Sequence, residues 1–228
     1  MASTYTDLGI ELMATGENAG TWGTKTNNNL NLIEQLTGGF ATLSIAGGAG
    51  TQALDIDDGA LTGTAQQRII EFTGSITGNR IITIPNDVET FYILKNSTSG
   101  AYTVQFKYAT GSGSSTTFSA TDKGIKTVYA SANDGTNPDI VDVMANSSEI
   151  VLANNNPIKF NDADNSAFVG IDAPATVSGS YTLTLPAAVG SASQALVTTD
   201  GSGTLGFTST STFGITTGKA IAMAIVFG

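Results

Sequence analysis

The residues with the clearest potential for chemistry are two clusters of acidic and amide side chains. Asp55-Ile56-Asp57-Asp58-Gly59 begins like a calcium-binding loop, but a helix–loop–helix calcium site needs glycine at its sixth position and glutamate at its twelfth. Here glycine is fifth and the twelfth position is Gln66. Asn161-Asp162-Ala163-Asp164-Asn165 collects further carboxylates and amides in one turn. Either cluster has oxygen ligands for a weak cation site of non-standard geometry, but we favour turns closed by Asp and Asn side chains.

Motifs for nucleophilic catalysis and phosphate binding are missing. The sequence has no cysteine and no histidine, which excludes a disulfide framework, a zinc site built on these residues and the triads that depend on them. Thr216-Thr217-Gly218-Lys219-Ala220 is like the end of a phosphate-binding loop, but Phe213 replaces its first glycine and Ala220 its final Ser or Thr. We therefore expect no catalytic residues, no cofactor and no metal, and we expect that the protein is not an enzyme.

The charge balance narrows the range of partners. The 228 residues include 9 Lys or Arg and 19 Asp or Glu, which gives a net charge of −10. Contacts to phosphate groups need Lys and Arg, so we expect no binding to nucleic acid or to an anionic membrane surface. The sequence contains no apolar run of the roughly 18 residues that a membrane span needs and no recognisable signal peptide. We expect no membrane insertion and synthesis in the cytoplasm of a producing cell.

One convincing helix is predicted, within an N-terminal segment of residues 1–40. Bulky side chains recur along one helical face, at Trp22, Thr26, Leu30, Ile33 and Leu36. Gly38 and Gly39 are expected to end the helix through a left-handed cap. The opposite face is rich in asparagine, which has modest helix propensity, so packing must hold the helix in place. We interpret Trp22, Leu30, Ile33 and Leu36 as an attachment or oligomer interface.

Residues 41–147 are predicted to form an antiparallel β domain, either a sandwich or a β-roll. In residues 101–109, Tyr102, Val104, Phe106 and Tyr108 alternate with polar residues, the pattern of a half-buried strand. Similar patterns occupy residues 68–72, 80–84, 90–95, 123–130 and 140–144. Strand signals at intervals of 8–12 residues, separated by Gly, Asn and Ser turns, favour a mainly β fold.

Residues 148–228 are predicted to be a β-rich, fibre-like part that forms oligomers. From Asn165 to the end, the charged residues are Asp172, Asp200 and Lys219. A free globular surface seldom has so few charges, although strands coated with Ser and Thr are the simpler alternative. The run 220–227 is apolar, and it is either a strand of its own domain, which is the simpler interpretation, or a contribution to a neighbouring subunit. As a strand it places large side chains on one face. We include those side chains in the predicted oligomer interface: Ile221, Met223, Ile225 and Phe227.

Several stretches share a pattern with one group of known proteins. The first is Gly20-Thr21-Trp22-Gly23, followed by Asn27, Asn29-Leu30 and Ile33-Glu34. The others are Lys95-Asn96-Ser97-Thr98-Ser99-Gly100-Ala101-Tyr102-Thr103-Val104, Tyr181-Thr182-Leu183-Thr184-Leu185-Pro186, Gln194-Ala195-Leu196-Val197-Thr198-Thr199-Asp200-Gly201-Ser202-Gly203-Thr204-Leu205 and Gly218-Lys219-Ala220-Ile221-Ala222-Met223-Ala224. These stretches resemble virion structural proteins of tailed phages, particularly the fibre-type proteins of marine phages.

The resemblance implies a non-enzymatic component of a virion. The most direct expectation is a tail-fibre or appendage protein that self-assembles, as a trimer by resemblance, and attaches through its N-terminal segment to other virion proteins. A capsid decoration protein (cement or head fibre) is the first alternative, and a carbohydrate-binding adhesion module that contacts a host surface glycan is the second.

Overall fold

The computed structural model describes residues 2–152 and 156–213. These residues are mainly β-strand with one α-helix near the N-terminus, which confirms the expected fold class. The helical elements are α1, Trp22–Gly38, and a short 3-10 helix, Thr210–Phe213. The strands are β1 Thr4–Tyr5, β2 Glu11–Leu12, β3 Phe40–Ser44, β4 Gly50–Ala53, β5 Ile69–Thr73, β6 Arg80–Ile84, β7 Thr90–Asn96, β8 Val104–Tyr108, β9 Thr116–Phe118, β10 Ile125–Ala130, β11 Ile140–Asp142, β12 Ile158–Asn161, β13 Phe168–Ile171, β14 Gln194–Thr198 and β15 Leu205–Ser209.

The chain divides into two units, Met1–Ile150 and Val151–Gly228. The division falls close to the boundary predicted after residue 147. The predicted N-terminal segment 1–40 belongs to the same unit as the β region that follows it.

Two sheets face each other in the first unit. One has the strand order β11-β10-β7-β5-β3 and the other β4-β6-β8-β9. The predicted alternation is confirmed for Val104, Phe106 and Tyr108 of β8, which are buried. It is wrong for Tyr102, which precedes β8 and is 38% exposed. Their partners come from the opposite sheet: the rings of Phe72 and Phe106 lie 6.4 Å apart, and those of Tyr92 and Phe106 lie edge to face at 5.5 Å. The core therefore lies between the sheets.

The chain coils between these two sheets, and this corrects the expected antiparallel arrangement. Strands β3, β5 and β7 pair in parallel in one sheet, and β4, β6 and β8 pair in parallel in the other. The antiparallel pairs in these sheets are β7 with β10, β10 with β11 and β8 with β9. Alternating polar and apolar residues show that a strand has one buried face, but parallel and antiparallel half-buried strands share that pattern. The prediction was wrong because the alternation does not identify the neighbouring strand.

The corners of the coil stack on each other through backbone hydrogen bonds. The amide of Gly47 donates to Ser75 O over 3.0 Å, and the amide of Ser99 donates to Gly74 O over 3.0 Å. At the corner of the third turn, Gly100 has a φ of +99°. A Cβ on this residue would lie 2.2 Å from Ile76 O. The close approach of successive turns therefore requires glycine here.

Helix α1 ends at Gly38, as predicted, but not by the expected mechanism. Gly39 has a φ of −66° and a ψ of 148°, which is extended rather than left-handed backbone. A Cβ at Gly39 would lie 2.2 Å from the Gln67 side-chain oxygen and 2.6 Å from Gln35 O. Glycine is needed there because of close packing, and the chain passes directly from the helix into β3.

The described part of the second unit contains two hairpins, β12 with β13 and β14 with β15. Within residues 156–211, no residue is buried. Two-stranded hairpins have little stability in water unless a face packs on something else. The described part of this unit therefore lacks a core of its own. The predicted strand at residues 220–227 lies outside the described residues.

No helix among the described residues has both the length and the apolar character needed to cross a membrane.

Candidate functional site

The first acidic cluster closes a loop with its own side chains. Asp55 Oδ1 accepts a hydrogen bond from the amide of Thr64 over 2.9 Å, and Thr64 Oγ1 also donates to it. These bonds, the hydroxyl bond foremost, hold the pKa of Asp55 below its ordinary value. Gln66 is fully buried, and its Nε2 donates to Leu8 O over 3.1 Å and to Asp57 O over 3.2 Å. Gln66 thus links this loop to the N-terminal residues.

The second acidic cluster forms the turn between β12 and β13. Asp162 Oδ1 accepts from the amide of Ser166 over 2.9 Å, and Asp164 Oδ1 accepts from the same amide over 3.1 Å. The Ser166 hydrogen bonds hold the pKa of Asp164 below its ordinary value. Both clusters thus have the turn-closing geometry favoured from the sequence. Within residues 2–152 and 156–213, no three acidic side chains converge to hold a metal ion.

Helix α1 is fastened to the hairpin of β1 and β2 through a buried glutamate. The Glu11 side chain is 3% exposed, and its Oε2 lies 2.9 Å from Lys25 Nζ. Asn18 Nδ2 donates to Glu11 Oε1 over 3.1 Å. The hydrogen bond with Lys25 is the largest influence that lowers the pKa of Glu11, and Glu11 in turn raises the pKa of Lys25. An ion pair therefore joins the first turn of the helix to the second strand.

Asn29 reinforces this attachment, because its carboxamide makes the two backbone hydrogen bonds that a neighbouring strand would make with Glu11 of β2. Its Oδ1 accepts from the backbone amide of Glu11 over 3.0 Å, and its Nδ2 donates to the backbone carbonyl of the same residue over 2.8 Å. We name the group Glu11, Lys25 and Asn29 the N-terminal clasp. Two other amide side chains of the helix also bond to backbone groups, since Asn28 Nδ2 donates to Gly59 O and Gln35 Nε2 donates to Leu61 O.

The clasp explains the unusual asparagines of α1. Asn28 and Asn29 pack against other segments of the first unit and satisfy backbone groups there, whereas Asn27 and Asn31 are exposed. The sequence patterns did not indicate Glu11 or Lys25, and they included Asn29 only in the stretch that carries the resemblance, not as a partner of β2. The available signal was the density of asparagines in a helix, together with one lysine near its start.

Of the four helix residues predicted to form an interface, three are exposed and one is buried. Trp22, Leu30 and Ile33 are exposed by 65%, 58% and 44%, whereas Leu36 is only 8% exposed. Leu36 packs inward with fully buried Leu32, so the two leucines share the packed side of the helix. Leu36 is therefore buried within a single chain. We name Trp22, Leu30 and Ile33 the outer helix face.

A second apolar surface lies on the first hairpin of the second unit. Ile158 pairs with Ile171 and Phe160 pairs with Val169, and residues directly opposite each other in an antiparallel pair point to the same side. These four side chains therefore form one continuous apolar face, with exposures of 49%, 65%, 57% and 73% respectively. We name them the hairpin face. On the other side, Lys159 Nζ lies 4.3 Å from the centre of the Phe168 ring.

The four C-terminal members of the predicted oligomer interface, Ile221, Met223, Ile225 and Phe227, lie outside the described residues.

No protein-family model matches this chain, and searches of curated proteins and of solved structures found no match.

Proposed function

We propose that this protein is a non-enzymatic structural component of a phage virion, most directly a tail fibre or other appendage. Its C-terminal unit self-assembles, and its N-terminal segment attaches it to other virion proteins. Trimeric symmetry rests on the sequence resemblance alone.

The hairpin face is the observation that carries this proposal. Four large apolar side chains lie on one side of an isolated two-stranded hairpin, and no described residue of this unit is buried. Burying a large aliphatic or aromatic side chain stabilises a protein by about 1.5–3 kcal/mol. Copies of this unit that cover one another's hairpin faces would obtain the core that one copy lacks.

The outer helix face supports the proposed role of the N-terminal segment. The clasp holds one side of α1 on the first unit and leaves Trp22, Leu30 and Ile33 exposed. An apolar side presented by a firmly held helix is suited to packing against another protein. In the proposed virion, that protein belongs to the tail or the capsid.

Self-assembly is tested by light scattering after gel filtration of the full chain at micromolar concentration. We expect a multiple of 23.2 kDa. Replacing Phe160 and Val169 together by serine should lower the mass towards that of a monomer, whereas Asn161→Ser, which changes a polar residue on the opposite side of β12, should leave it unchanged. A wild-type monomer, or equal masses for both variants, would contradict assembly through the hairpin face.

The place in the virion is tested by electron microscopy of particles labelled with an antibody against the chain. Label on the tail supports an appendage, and label spread over the head supports capsid decoration instead. Particles without label would refute the virion role.

A further inference from the structure

The two main sheets of the first unit have unpaired edges at the same end. Strand β3 is the last strand of one sheet and β4 is the last strand of the other. At the opposite end the sheets are joined, since Ile140 of β11 donates its amide to Ser114 O over 3.0 Å and accepts at its carbonyl from Ser114 Oγ over 3.0 Å. The first turn of the coil is thus the open end of both sheets.

The backbone groups on this open end can be identified from the parallel pairing. Gly39 O accepts from the amide of Ile69, and the amide of Ile45 donates to Thr73 O, each over 2.9 Å. Bonding residues alternate along a parallel strand, so residues 39, 41, 43 and 45 bond to β5. The amides and carbonyls of residues 40, 42 and 44 therefore point to the free edge.

Strand β4 follows the same rule. The amide of Gly50 donates to Asn79 O over 3.1 Å, and the amide of Leu54 donates to Thr83 O over 2.7 Å. The backbone groups of Thr51 and Ala53 therefore point to the free edge of the second sheet. Both residues are exposed, as are Phe40, Thr42 and Ser44 in β3.

This open end lacks the usual protection of an edge strand. Natural edge strands carry charges, prolines or bulges that oppose pairing with another chain. Between Glu34 and Asp55 the sequence has neither a charged residue nor a proline. Phe40 is 56% exposed, and Leu43 packs against the core but is itself only partly buried.

We propose that the open end pairs with the same end of a second copy of this chain, β3 with β3 and β4 with β4. A two-fold axis would place both unpaired edges of one copy on both edges of the other, whereas a single foreign strand would cover only one sheet. Each chain has a net charge of −10, and the absence of acidic residues from β3 and β4 lets two copies meet there with little repulsion. The charged side chain of Arg80 in β6 also lies at this end, where its Nη1 donates to Gly48 O over 3.0 Å. Both sheets would then continue through the dimer.

This pairing is separate from the proposed assembly of the second unit, and one substitution tests it. Proline is tolerated on an edge strand where its missing amide faces outward. Thr42→Pro should therefore keep β3 paired to β5 but halve the native mass of the full chain, measured by light scattering at about 100 μM. Thr42→Val keeps the amide and should leave the mass unchanged.

The absence of cysteine allows a second test by cross-linking. Directly opposed residues of antiparallel strands have Cα atoms about 4.5–5.5 Å apart, a distance that a disulfide can span. When the single variants Phe40→Cys, Thr42→Cys and Ser44→Cys of the full chain are oxidised mildly, alone and mixed in pairs, at least one combination should form a covalent dimer. Thr117→Cys, an exposed position on β9, is the control and should remain uncrosslinked.

The outcomes separate this proposal from the proposed function. A halved mass for Thr42→Pro but not for Thr42→Val, with circular dichroism unchanged, supports pairing at the open end whether or not the hairpin-face variants change assembly. Equal masses for the proline and valine variants, or no cross-linking beyond the Thr117→Cys control in any of these combinations, would overturn it. Loss of the wild-type circular dichroism spectrum in Thr42→Pro would also count against it, because an outward-facing amide should be dispensable.

Discussion

Replacing Asn29 by alanine should loosen the attachment of α1 to the hairpin of β1 and β2. The substitution removes the two hydrogen bonds, of 3.0 and 2.8 Å, that the carboxamide makes with the backbone of Glu11. Glu11 is only 5% exposed, so water has little access to the amide and carbonyl that lose their partner. The whole N-terminal clasp should weaken as a result.

The expected magnitude follows from these two bonds. Each is worth about 1 kcal/mol net, and leaving a buried group unpaired costs about 1–3 kcal/mol. Alanine favours a helix over asparagine by up to about 0.7 kcal/mol, which offsets part of the loss. We therefore expect Asn29→Ala to lower the free energy of unfolding of the first unit by about 2 kcal/mol.

Urea denaturation followed by circular dichroism measures this difference, and Asn31→Ala is the matched control. Asn31 lies on the same helix with an exposed side chain, so its replacement should stabilise the protein by a few tenths of a kcal/mol through helix propensity. Hydrogen exchange should also quicken in β2 of Asn29→Ala but not of Asn31→Ala. Equal stabilities of the two variants would refute the role of Asn29 as a partner of the β2 backbone.

Two further predictions concern the first unit. Gly100→Ala should destabilise it by about 2 kcal/mol or more, because the residue combines a positive φ with a Cβ position 2.2 Å from a carbonyl oxygen. The control is Gly135→Ala, since a Cβ at that position meets nothing within 4 Å. Equal melting temperatures of the two variants would contradict the stacking of the coil corners at Gly100. Acid should also destabilise the unit, because lysine partners hold the pKa values of Glu11 and Glu71 below 4.5 in the folded chain. As the pH falls below 4.5, these two carboxylates bind protons more readily in the unfolded chain than in the folded chain. The stability that the two ion pairs contribute is therefore fully present above pH 4.5, and it is lost as the pH falls through the lower pKa values of the folded chain. Thermal melts between about pH 6 and pH 3 measure the effect, and a melting temperature independent of pH would contradict it.

Six strands of the first unit (β5 to β8, β10 and β11) and the helix were predictable because their patterns are local. The burial of Val104, Phe106 and Tyr108 in β8 follows from a two-residue period, and β6 occupies the predicted residues 80–84. The helical period likewise places α1 close to its observed range. The position of a residue along a strand or helix determines which face its side chain is on, independently of what packs against that face.

The surroundings of those faces were less predictable. Leu36 belongs to the same apolar stripe as Trp22, Leu30 and Ile33, yet it is buried while the other three are exposed. Asn29 is one of several asparagines, and only its position beside β2 gives it two backbone partners. Such differences depend on segments that are distant in the sequence and close in space.

The sequence by itself determined strands β5 to β8, β10 and β11, where the helix lies, and that neither cysteine nor histidine chemistry is available. It did not identify β3, β4 or β9 as strands. It also determined the uncharged stretch between Glu34 and Asp55. Only the tertiary structure decided that β3, β5 and β7 pair in parallel and that this uncharged stretch forms the open end of two sheets. The physical reason is that the alternation of side chains sets the faces of a strand, whereas its backbone hydrogen bonds run sideways to whichever strand the coiling chain brings alongside.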